Sequence, residues 1–159
     1  MNILRITDRV IGHTLRWGSV ALLFAIFALL SINVFIRFFP IVSFEWFDEI
    51  MEMLVAWMVF LGTAALWREN EHFAITFLPE ALKGKKSGAA LDILINLICL
   101  IFIGVFTYYS LNITLRVTDW TPTINMPKAF LYASMPVAGF FMMIYSLRNL
   151  LISSTKITR

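Results

Sequence analysis

Residues 17–39, WGSVALLFAIFALLSINVFIRFF, hold a single charged side chain, Arg37, and no proline. A hydrocarbon core of roughly 30 Å takes about 20 helical residues to cross, and this stretch is long enough. With no water in the bilayer, every backbone N–H and C=O must be bonded within the segment, which only a helix achieves for one isolated span. The run is too long for the apolar region of a secretory signal and no small-residue cleavage pattern follows it, so it reads as a retained transmembrane helix. Working outward, three more runs of the same kind follow at 50–67, 89–113 and 130–151, joined by short connections. The composition agrees: 60% of the 159 residues are hydrophobic and 14% charged, against about a quarter charged in soluble domains. The expectation is an all-α integral membrane protein, one membrane domain over 1–159, with four transmembrane helices and no room for a soluble domain.

Charge gives the spans a direction. Four spans create two faces. One collects Arg5, Arg9, Arg16, Arg68, Lys83, Lys85, Lys86, Arg148, Lys156 and Arg159, the other only Arg37, Arg116 and Lys128. The positive-inside rule then puts both termini in the cytoplasm. The basic residues are sorted by side and form no stripe, so nucleic acid is not an expected partner. Tryptophan favours the headgroup level, where its ring is buried and its N–H wet. Trp17 and Trp67 fall at the inner ends and Trp46 and Trp120 at the outer ends, as interface anchors; Trp57 alone falls inside a span.

Two segments read as lying along the membrane surface. Over 3–16, Ile3, Leu4, Ile6, Val10, Ile11 and Leu15 share one side at 100° per residue, with Arg5, Arg9, His13 and Arg16 opposite. Such an amphipathic interfacial helix meets anionic lipid with its basic face. Over 72–84, Phe73, Phe77, Leu78, Ala81 and Leu82 share a face, with Pro79 suited to a first helical turn and Gly84 to a helix end. Membrane lipids are therefore expected partners.

The span centres are short of chemistry. Charge inside a membrane is costly and is retained for function, yet the third and fourth spans carry none in their middle turns. Asp92 sits near the start of the third span, where a carboxylate compensates the helix dipole. Asn96, one turn deeper, suits helix packing. His13 and His72 both fall at a surface, which excludes haem ligation inside the bundle, and the lone Cys99 excludes a redox pair. No phosphate loop, carboxylate pair or zinc spacing is present. No catalytic, cofactor-binding or metal residue is expected, and the chain does not read as an enzyme. Gly62, Ala64 and Ala65 in the second span, and Ser134, Ala138 and Gly139 in the fourth, permit close helix approach.

The remaining constellation lies at the outer face. Asn33 and Arg37 close the first span, and Glu45, Asp48, Glu49 and Glu52 open the second at three- and four-residue steps along one helix face. Arg37 is within reach of Asp48 or Glu49 across the short hairpin. These groups read either as a structural pairing or as docking groups for an outer partner.

The stretches INVFIRF (32–38), FEWFDEIMEMLVAWMVFLGTAALWRENEHFAITF (44–77) and WTPTINMPKAFLYASMPVAGFFMM (120–143) resemble the small membrane subunit, the Q-type, of tripartite ATP-independent periplasmic (TRAP) transporters. The resemblance covers nearly the whole chain and rests on the order of Asn33 with Arg37, Trp46 with Asp48-Glu49, Leu61-Gly62, Arg68 to His72, and Thr121-Pro122, Pro127 and Pro136. Asp48 stands where the family often has Glu, Glu52 where it is often basic and Thr76 where it is often acidic. The resemblance implies a multi-pass protein of the bacterial inner membrane. It implies two partners: a large membrane subunit holding the substrate and sodium sites, and a periplasmic substrate-binding protein that delivers an organic anion of the sialic acid or C4-dicarboxylate type. This chain is then a noncatalytic scaffold that supports the large subunit and helps dock the binding protein. The competing expectation is a self-sufficient four-helix transporter, acting as a homo-oligomer with Glu52 as its membrane carboxylate.

Overall fold

A computed structural model describes residues 2–38, 45–69 and 86–157. The described residues form five helices: α1 (Asn2–Arg37), α2 (Phe47–Glu69), α3 (Lys86–Arg116), the four-residue α4 (Ala129–Tyr132) and α5 (Ser134–Ile157). Among the described residues four stretches, Asp8–Arg37, Phe47–Glu69, Ile93–Arg116 and Ala129–Leu151, are long and apolar enough to cross a membrane, as the four apolar runs led one to expect. The last joins α4 to α5, and only a slight irregularity separates them. Pro136 has no N–H to give to Tyr132, so one helical bond is missing there, while Val137 N–H still reaches Ala133 O at 3.2 Å.

The amphipathic stretch 3–16 is helical and runs without a break into the first span, so α1 is one helix of 36 residues, about 54 Å long. No proline interrupts it, and its two inner glycines lie where α2 approaches. A Cβ on Gly12 would run into the Arg68 guanidinium, and one on Gly18 would meet Leu61. The segment 72–84, read as a second interfacial piece, lies outside the described residues.

Several hydroxyl groups in these apolar helices are satisfied locally, as a medium without water favours. Thr14, Ser19 and Ser31 each donate to the carbonyl one turn back, at 3.0, 2.8 and 2.8 Å. Thr114 does the same to Ser110 O at 2.8 Å.

The described helices form an open row. Among the described residues α1 packs on α2 alone, α2 packs between α1 and α5, and α3 packs on α5 and its short leader α4. The order across the row is therefore α1, α2, α5, α3. Buried side chains follow it: Leu15 from α1, Ala64 and Trp67 from α2, Ala138, Met142 and Tyr145 from α5, and Ile103 from α3. Many large apolar side chains off this line face outward, including Phe24 at 73% and Phe102 at 66% exposure.

Trp67, expected at the headgroup level, lies near the end of α2, buried against α5, and its Nε1–H donates to Ser146 Oγ at 2.8 Å. A buried serine thus partners the indole N–H. Trp67→Phe is expected to destabilise the chain by about 1–2 kcal/mol, Ser146→Ala by a similar amount, and the double variant by little more than either. Apparent melting temperatures in detergent test this; additive losses would show that the bond contributes nothing.

Candidate functional site

The polar groups gather at the two ends of the row. At one end α3 leads into a compact loop, residues 117–128. Asp119 O accepts from Lys128 N–H at 2.9 Å and Met126 O from Thr121 N–H at 2.9 Å, and Trp120 pairs with Pro127 as an antiparallel bridge. Asn125 closes the turn at φ 54°, a left-handed conformation that asparagine tolerates. Thr121 Oγ1 also accepts from Met126 N–H at 3.0 Å.

Glu49 ties this loop to the start of α2. Its Oε1 accepts from Thr123 N–H at 2.8 Å and its Oε2 from Ile124 N–H at 3.0 Å, two charge-assisted bonds to backbone donors. The anticipated pairing of Arg37 with Asp48 or Glu49 does not occur among the described residues. Arg37 and Asp48 are exposed, and the Glu49 carboxylate is turned to the loop. Glu45 is exposed, and Asn33 and Trp46 are half-buried. Glu52 is also exposed and borders a small cleft, about 80 Å³, between α2 and the loop, with Glu49, Met53, Thr121, Lys128 and Tyr132 around it. It stands near the start of α2, away from mid-span. Trp120 is 60% exposed on the loop. Trp57, the tryptophan inside a span, donates Nε1–H to Phe130 O at 3.1 Å.

At the opposite end three helices meet on one carboxylate that the sequence reading did not single out. Asp8 accepts from Arg68 through both oxygens, Oδ1 from Nε at 3.2 Å and Oδ2 from Nη2 at 3.0 Å. Arg148 of α5 adds Nη1 to Oδ1 at 3.2 Å. Gly12, one turn after Asp8, leaves the space that the Arg68 guanidinium fills. A signal was available: Asp8 is the first acidic residue of the chain, with Glu45 the next. It shares a helical face with Gly12, Leu15, Ser19 and Ile26, the face that meets α2. Arg16 lies 3.9 Å from Glu69, and Trp17 is 58% exposed with its ring 5.7 Å from that of His13.

Between the ends the row is held by small residues. Gly62 faces Ser19, whose Oγ would lie 3.7 Å from an added Cβ. Ser134 and Ala138 are fully buried, with Ser134 Oγ donating to Leu131 O at 2.8 Å, and Gly139 lies against Thr107. Asn96 is half-buried on α3. Among the described residues no three His, Cys, Asp or Glu side chains cluster as a metal site would need. The arrangement fixes helices and loops.

The family model described as "Tripartite ATP-independent periplasmic transporters, DctQ component" matches residues 26–155. A Haemophilus influenzae protein named as a TRAP transporter small permease is 27% identical over 139 residues, covering 82% of this chain and 84% of its own length. With four helices able to span a membrane and a family match over most of its length, the chain belongs to the DctQ component of the tripartite ATP-independent periplasmic transporters, and is a multi-pass inner-membrane subunit of such a system.

Proposed function

We propose that this chain is the noncatalytic scaffold of a sodium-coupled importer of organic anions, of the sialic acid or C4-dicarboxylate type. It supports a large membrane subunit that carries the substrate and ion sites, and helps seat the periplasmic binding protein. The observation that carries the reading is the open row. At one edge of the row α3 packs only on α5 and its leader α4 among the described helices and leaves Phe102, Tyr108 and Tyr109 outward, a shape suited to being one layer of a wider assembly. Movement during alternating access belongs to the partner, against which an immobile row supplies a fixed flank. Ten basic residues against three place both termini in the cytoplasm, so the loop 117–128 with Trp120, together with Glu45, Asp48 and Glu52, faces the periplasm.

Co-purification in mild detergent with a large polytopic subunit encoded beside it tests the reading. The complex is expected to survive, and uptake of a labelled organic anion into vesicles is expected to need all three proteins and a sodium gradient. Uptake by this chain alone, abolished by Glu52→Gln, would sink the scaffold reading and establish a self-sufficient transporter.

A further inference from the structure

The outward face of α1 is ordered by depth. Arg9, His13 and Arg16 come first, then Trp17, then Val20, Phe24 and Phe27, all exposed. At 100° per residue these seven fall within an arc of about 100°. The face toward α2 holds instead Asp8, Gly12, Leu15, Ser19 and Ile26. No other described helix packs on α1, so the ordered face is an open edge of the row.

Its spacing fits one kind of molecule. From Trp17 to Arg37 the helix rises about 30 Å, the thickness of the hydrocarbon core, which puts the Trp17 ring at the boundary where indole settles. Arg16 is then at the floor of the headgroup layer and His13 about 4.5 Å higher, within a layer some 5–8 Å deep. Helical side chains lean toward the N-terminus, so the Arg16 guanidinium leans out of the hydrocarbon and toward the level of His13. Arg9 stands one turn above. The described carboxylate nearest to this collar, Glu69, is 3.9 Å from Arg16 and leaves 72% of that side chain exposed. Asp8 is turned inward and held by Arg68 and Arg148. The collar is thus basic, and below it lies aliphatic and aromatic surface.

We propose that this edge of α1 seats one anionic phospholipid, with its phosphate between Arg16 and His13, its headgroup under Arg9, and its acyl chains along Val20, Phe24 and Phe27. The inference rests on the membrane placement of the row and makes α1 a lipid-facing edge of the assembled transporter.

The test uses the full chain, alone and with its large subunit, reconstituted in vesicles of equal parts phosphatidylglycerol and phosphatidylcholine. Native mass spectrometry after gentle extraction reads which lipid is retained. The wild-type chain is expected to retain phosphatidylglycerol over phosphatidylcholine by about tenfold. Arg9→Ala with Arg16→Ala should reduce that preference below about twofold, while Arg9→Lys with Arg16→Lys should keep most of it. Arg116→Ala, at the other end of the row, should leave it unchanged. Equal retention of the two lipids by the wild-type chain overturns the proposal without recourse to any variant, as does an unchanged preference in the double alanine variant. Preference in the free chain that vanishes in the complex also overturns it, assigning the edge to protein. The same spectra separate the two readings: a complex without bound phosphatidylglycerol counts against the lipid seat alone, and absence of a complex counts against the scaffold.

Discussion

Asp8→Ala is expected to destabilise the folded chain by about 2–3 kcal/mol, in the upper range for hydrogen bonds to a charged group. The loss exceeds that of an exposed ion pair because the partners are mostly covered: the Asp8 and Arg68 side chains are 32% and 23% exposed, whereas exposed pairs contribute about 0–1 kcal/mol. The geometry is also two-pronged, with Nε and Nη2 of Arg68 on separate oxygens. Removing the carboxylate leaves two guanidinium groups, Arg68 and Arg148, facing each other with no anion between them. Asp8→Asn should recover part of the packing and little of the attraction. In a cycle of Asp8→Ala, Arg68→Ala and the pair, the coupling should reach about 1–2 kcal/mol, read from unfolding of the detergent-solubilised chain. Strictly additive losses would show that the cluster is a crowding of charges with no mutual stabilisation. Arg148, half exposed at 50%, should couple more weakly.

That cluster also shows what a sequence reveals and what it hides. Length and hydropathy suffice for spans, since a segment that crosses a bilayer must be apolar for about 20 residues whatever it packs against. The four runs were therefore legible, as was the amphipathic start of α1. Pairing between helices is not written in any one of them. Arg68 and Arg148 looked like topology charges because positive-inside sorting accounts for each without a partner; only the parallel approach of α2 and α5 beside α1 brings both to Asp8. The bond from Trp67 to Ser146 was hidden for the same reason, since the two lie far apart along the chain. Glu49 was visible as part of an acidic stripe, but its true partners are backbone N–H groups of Thr123 and Ile124, and backbone donors leave no mark in residue identity. Small residues are visible by type alone: Gly62 faces Ser19, and Ser134 and Ala138 are fully buried.

The row order α1, α2, α5, α3 was the least legible feature, because every span here is apolar all round and so lacks a single stripe to orient it. Its consequence is mechanical. In a closed bundle each helix is held by two neighbours, and loosening one contact leaves another. In an open row the end helices depend on one seam each, α1 on α2 and α3 on α5. The Asp8 cluster and the Glu49 clasp strengthen the row at opposite ends, the first joining α1, α2 and α5, the second joining α2 to the loop that follows α3. Between them the Trp57–Phe130 and Trp67–Ser146 hydrogen bonds cross from α2, and the rest of the seams relies on van der Waals packing, which in lipid requires close backbone approach.

The seam between α3 and α5 should for this reason be the most sensitive to added volume. Gly139 lies directly under Thr107, so that an added Cβ would collide with Thr107 Oγ1 and lie 3.2 Å from Thr107 Cβ. The Thr107 Oγ1 atom is buried without a hydrogen-bond partner, pressed against the glycine backbone as in other close helix contacts made by small residues. Gly139→Ala forces a movement of Thr107 and is expected to cost about 1–2 kcal/mol. Gly139→Leu cannot be absorbed by a rotamer change and has to part the helices, with an expected cost of about 3 kcal/mol or more. Since α5 and its leader α4 are the described helices that hold α3, the parted helix should leave the row. A cysteine pair placed across the seam, in a background with Cys99→Ala, should then lose most of its oxidative cross-linking. Thr107→Ala removes the colliding oxygen and should restore much of the stability of Gly139→Ala while doing little for Gly139→Leu. Wild-type cross-linking and melting in Gly139→Leu would mean that α3 and α5 are not held at this distance, and the row would lose the close seam on which its third and fourth spans depend.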